Sequence, residues 1–132
     1  MVIIVPAIIL GIIIGFIELL FVHADQDFRG SKWLMHGLHA MLFSILFIFI
    51  NMNVDYVIGV LGFSFNYLNY IIYLVVAIIA FIKISGAAAG SGKVVREKIW
   101  HTLFIVILIT LAPILWHYIA PVCKSLINPM YC

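Results

Sequence analysis

Glu18, His36, His39 and His101 are ionisable residues set inside long runs of Val, Leu, Ile and Phe. Hydrocarbon cannot solvate a charge, so such residues in an apolar run face protein or a wet cavity and are functional candidates by default. Imidazole combined with carboxylate suits zinc, iron, copper or manganese, and the same groups relay protons near neutral pH. His36 and His39 are spaced as His-x-x-His, about 60° apart around a helix. They can offer two ligands where metal sites generally collect at least three, and the Glu of the HExxH zinc motif is absent. The following segment, His23-Ala24-Asp25-Gln26-Asp27-Phe28-Arg29, adds groups at the same level. His23, Asp25 and Asp27 could orient metal ligands through hydrogen bonds. The expected site is therefore Glu18, His36, His39 and His101 holding a transition metal or a haem.

A competing reading places these side chains at helix ends, where water solvates them, with Asp25 or Asp27 pairing with Arg29 or Lys32. A two-haem arrangement is disfavoured. His101 and His117, sixteen residues apart, lie about 24 Å apart and on nearly opposite sides of a straight helix, unless Pro113 bends it. The Ser85–Lys93 segment has the glycines of a phosphate loop but carries Ala87 and Val94 where a Walker motif needs Gly and Ser or Thr. No complete catalytic motif is present, so the sequence assigns no enzyme class.

Four apolar stretches must position these residues: Val2 to Val22, Trp33 to Ile50, Tyr56 to Ile82 and Ile99 to Ala120. Hydrophobic residues make up 67% of the chain and charged ones 9%, with a mean hydropathy of +1.29, against about 25% charged residues in a soluble domain. A water-soluble globule is excluded. The expected fold is all-α, an integral membrane bundle of four transmembrane helices with short loops, and residues 1–132 form one transmembrane domain. The first run has no basic residue before it and exceeds the roughly 7–15 residues of a signal-peptide core, so it reads as a retained helix. The third run is longer than a span of about 30 Å requires. Either it tilts, or Tyr56 to Phe65 is a broken or interfacial piece, which Gly59 and Gly62 favour.

Two helix faces carry a pattern. Ala7, Gly11, Gly15, Glu18 and Val22 fall within about 80° of one another on the first helix. Gly11 and Gly15 form a small-xxx-small seam that lets another backbone approach and directs Glu18 toward it. Gly62, Asn66, Asn69, Tyr73, Ala77 and Ala80 share a face of the third helix. That face is expected to pack, with Asn66 and Asn69 hydrogen-bonding across a helix interface. A permeation path lined by Glu18, Asn66 and Asn69 is the other use for it.

Lys and Arg number 7 against 5 acids, a formal charge of +2, too little clustered charge for a nucleic-acid partner. Their placement carries more information. Arg29, Lys32, Lys83, Lys93, Arg96 and Lys98 fall in the first and third connections, and only Lys124 in the tail. Basic residues favour the cytoplasmic side, so segments 23–32 and 83–98 are expected in the cytoplasm and both termini outside. Cys123 and Cys132 would then meet a compartment that permits a disulfide. The functional expectation is a structural or accessory subunit of a larger or homo-oligomeric membrane complex, in contact with lipid and with other subunits or copies of itself. The alternatives are a metal- or haem-binding redox protein using the Glu/His cluster, and a small ion or proton conductor.

Overall fold

The computed structural model describes residues 2–24, 32–63, 65–89 and 98–126, and at residues 32, 33, 35, 36 and 87–89 the backbone alone. Six helices follow one another: α1 (Val5–Ala24), α2 (Lys32–Met52), α3 (Val54–Leu61), α4 (Leu68–Ala89), α5 (Ile99–Thr110) and α6 (Ala112–Leu126). No strand occurs among the described residues. Val5–Ala24 and the Leu68–Gly86 part of α4 are each long and apolar enough to cross a membrane, and counting each bent pair of helices as one span gives up to four.

α1 packs most extensively on α2, and α4 lies against α2 and α5. The α1–α2 contact is close because glycines make it so. A Cβ placed on Gly11 would come within 2.7 Å of the Ile45 Cα, and one on Gly15 within 2.8 Å of the Met41 Cα. Gly37 of α2 faces Leu19 of α1 at the same level, but there the neighbour is the end of the leucine side chain. Each advance of four residues along α1 is matched by four back along α2, which fixes an antiparallel register. The core between the helices is built from Leu10 and Ile14 of α1, Phe47 and Ile48 of α2, Val76, Ala80 and Ile84 of α4, and Ile105 and Ile109 of α5.

The third and fourth expected stretches are broken, and the chain also bends sharply just after the second. The axis turns by 81° between α2 and α3 and by 68° between α5 and α6. The third apolar stretch is thus not one helix: α3 ends at Gly62, whose φ of 71° is the left-handed conformation that glycine adopts without a Cβ penalty, and α4 begins afresh at Leu68. The alternative of a broken piece describes this segment better than one tilted helix. The fourth stretch breaks at Leu111, two residues before Pro113. Proline lacks the N–H that would reach the carbonyl four residues back and crowds that turn, so the helix restarts with Pro113 in the first turn of α6. With 12 residues, α5 alone covers about 18 Å, short of a bilayer core of about 30 Å.

At its other end α4 runs to Ala89. Lys83 and the Ser85–Ala89 segment are therefore helical, where the sequence suggests a connection from Lys83 onward. Lys83 extends over the Phe43 ring, its ammonium 5.9 Å from the centroid, so its charge rests on an aromatic face.

Candidate functional site

Among the described residues the buried polar side chains are Glu18 on α1, Ser44 and Asn51 on α2, Asn53 just after it and Thr102 on α5. Glu18 is 1% exposed, Ser44 and Thr102 0%, and Asn51 1%. Glu18 is buried because Gly11 and Gly15, on the same face of α1, bring α2 against that face. The antiparallel register sets Glu18 about level with residue 38 of α2. Ser44 is about 9 Å farther along α2 and Asn51 about 10 Å beyond it, so the polar groups recur through most of the bundle's length. Ser44 Oγ and Asn51 Oδ1 are both buried without a hydrogen-bond partner among the described residues.

Asn51 stands where α2 and α5 end together. Its Nδ2 donates to the Ile109 carbonyl at 3.0 Å. Ile109 is the residue whose carbonyl Pro113 cannot serve; the buried amide adds a donor there beside the Leu111 N–H. Asn53, two residues on, ties down the start of the chain. Its Oδ1 accepts from the Ile3 N–H, while its Nδ2 donates to the Ile3 carbonyl at 3.0 Å and to the Phe49 carbonyl at 2.8 Å. Thr110 Oγ1 donates to the Val106 carbonyl at 2.8 Å, an i−4 bond that eases the bend following it. Both breaks and the start of α1 thus gather at one end of the bundle.

At the opposite end, Phe21 of α1 stacks on His101 of α5, ring centroids 4.5 Å apart and planes 10° from parallel, and meets the edge of Phe104 at 5.8 Å. Glu18 lies one turn from Phe21, so Glu18 and His101 belong to one neighbourhood. His39 is exposed on α2, and His23 is exposed at the end of α1. The His36 side chain, Asp25 and Asp27 lie outside the described residues. Among the described residues no group of three His, Cys, Asp or Glu is placed to hold a metal.

The stripe expected on the third helix divides. Gly62 and Asn66 precede α4 in the connection, Asn66 and Asn69 are exposed, and Tyr73 is half-buried. Asn69 Nδ2 donates to Asp55 Oδ1 at 3.3 Å, so it braces α3 against α4 rather than reaching into the core. The inward face of α4 is Leu68, Val76, Ala80 and Ile84, which is apolar. His117 is exposed on α6 with its ring against Tyr118. Cys123 is disulfide-bonded; Cys132, the other cysteine of the sequence, lies outside the described residues.

Comparison with known protein families, curated proteins and solved structures finds no match for this chain. Sequence reasoning identified Glu18 but passed over Asn51, Asn53 and Thr102. Pro113 was the available signal. A proline within an apolar run leaves a carbonyl that some buried donor must satisfy, and the Asn-Met-Asn at the end of the second run supplies candidates.

Proposed function

We propose that the chain is an integral membrane protein with four spans, formed by α1, by α2 with α3, by α4 and by α5 with α6, and that it conducts a small ion or protons along the seam between α1, α2 and α5. The observation that carries this reading is Glu18, an ionisable side chain 1% exposed inside the bundle, where Ser44, Thr102 and Asn51 are also buried. A carboxylate in such a place is costly unless it is neutral or well partnered, and an ionisable residue inside a span is a functional candidate by default.

Aromatic placement supports the membrane setting. Tyr56, Tyr67, Tyr70 and Tyr118 are exposed at the end that holds both breaks, and Trp100 is exposed at the other, which matches the belts that Tyr and Trp form at membrane–water boundaries. The outward side chains of α4, Ile71, Leu74, Val75, Ile78, Ile79 and Ile82, are apolar. Lipid satisfies them fully, so they give no ground for preferring an accessory subunit that needs a partner on that face.

The test is flux in proteoliposomes under an imposed proton or alkali-cation gradient. The protein is expected to raise flux above that of empty vesicles, and Glu18→Gln, nearly the same in volume but uncharged, is expected to lower it at least tenfold. Wild-type flux at the level of empty vesicles, or full flux in the variant, refutes the reading.

A further inference from the structure

α2 and α5 run parallel, joined by Asn51 Nδ2 on the Ile109 carbonyl, and they stop together, α2 at Met52 and α5 at Thr110. Both chains then turn aside, by 81° and 68°. Two sets of terminal carbonyls, the negative ends of two helix dipoles, are therefore brought side by side. Helices commonly offset that end with a basic residue in the last turn, and neither α2 nor α5 has one. No Lys or Arg occurs in residues 33–82 or 99–123, and the nearest charged residue along the chain, Asp55 in the first turn of α3, adds to the negative potential.

Asn51 is 1% exposed and its side chain reaches from one helix end to the other. Donation to the Ile109 carbonyl fixes which way the amide points, since the reverse orientation would set two acceptors against each other. Oδ1 is then an oxygen without a donor among the described residues, inside the field of both helix ends. We propose that this junction binds a monovalent alkali cation, coordinated by Asn51 Oδ1 and by carbonyl oxygens from the last turns of α2 and α5. Neutral amide and carbonyl oxygens are the donor set that takes an alkali ion. A divalent ion is disfavoured because calcium and magnesium sites draw on carboxylates, and Asp55 is exposed and already accepts from Asn69. Discontinuous helices whose carbonyl ends gather about an ion are a recurrent solution in membranes. The junction stands on its own geometry and does not depend on Glu18 carrying current.

Thermal unfolding of the full-length protein in detergent, in sodium, potassium or choline chloride at one ionic strength, tests this together with equilibrium binding of radioactive sodium or rubidium. A saturable rise in Tm with sodium or potassium and none with choline is expected, along with saturable isotope binding. Asn51→Leu is expected to abolish both responses, and Leu74→Ala, on the lipid-facing side of α4, to keep them. Asn51→Asp retains an oxygen and adds a charge, and is expected to respond at lower salt. Where neither Asn51 variant folds, the wild type decides. Equal Tm in all three salts with no saturable isotope binding overturns the proposal and leaves a buried water as the partner of Oδ1. Cation binding without flux preserves this site and removes only the conduction reading; flux without cation binding does the reverse.

Discussion

At the scale of single residues, one amide makes a broken helix tolerable. Pro113 has no N–H to give the Ile109 carbonyl in the helical pattern, and Asn51 supplies a strong donor at 3.0 Å. Leaving a buried carbonyl unsatisfied costs about 1–3 kcal/mol, so Asn51→Leu is expected to destabilise the fold by about that much. Pro113→Ala restores an N–H that can reach the same carbonyl, so on that background the cost of losing Asn51 should shrink. A double-mutant cycle on unfolding in detergent reads the coupling directly, and strict additivity would show that the amide and the proline do not share the carbonyl. Glu18 was legible in the sequence because a charge in an apolar run is conspicuous by itself. Asn51 was not, because its role depends on a proline more than sixty residues later and on a register between helices that no local pattern encodes. His39 is exposed on α2, which spacing did not determine: it fixes which residues share a helix face but not which face meets the core.

At the scale of elements, glycine positions separate two kinds of close approach. A methyl group on Gly11 or Gly15 would press on the backbone of α2, at 2.7 Å from Ile45 Cα and 2.8 Å from Met41 Cα. At Gly37 the obstacle is the far end of the Leu19 side chain, which can rotate away, and at Gly59 nothing lies within 4 Å. Gly11→Ala and Gly15→Ala are each expected to cost about 1–3 kcal/mol, the range for overpacking, and Gly37→Ala less. Gly59→Ala, in the middle of α3, should be neutral or stabilising by about 1 kcal/mol through helix propensity. Unfolding curves for the four variants check the order, and equal losses at Gly11 and Gly59 would contradict the α1–α2 contact. The small-xxx-small seam of α1 was readable from the sequence because its period is that of a single straight helix. The Gly62–Ala80 stripe was projected onto one straight helix that does not exist, so its phase lost meaning at Gly62, where the chain turns. The fourth stretch likewise bends, by 68° between α5 and α6, at the place where Pro113 allowed it.

At the scale of the whole molecule, charge, aromatic placement and cysteine chemistry bear on a single orientation. The end that gathers the start of α1, the α2–α3 break and the α5–α6 break has Asp55 and exposed tyrosines but no Lys or Arg in residues 33–82 or 99–123. Arg29, Lys32, Lys93, Arg96 and Lys98 belong by sequence to the connections at the opposite end. Positive residues are retained on the cytoplasmic side, and a disulfide such as that of Cys123 persists in oxidising compartments. On both considerations we propose that the broken-helix end faces outside. Single cysteines introduced at Tyr67 and at Lys93, in a chain whose own two cysteines are serine, report this through a membrane-impermeant maleimide. Tyr67→Cys, in the exposed turn before α4, is expected to react in intact cells, and Lys93→Cys only after permeabilisation. The opposite pattern would invert the protein and send the field of the two paired helix ends toward the cytoplasm. A cation reaching Asn51 would then come from the interior, where potassium is abundant, instead of from the exterior. Orientation thus determines which alkali ion the junction meets first, and labelling should precede any choice of gradient for the flux measurement.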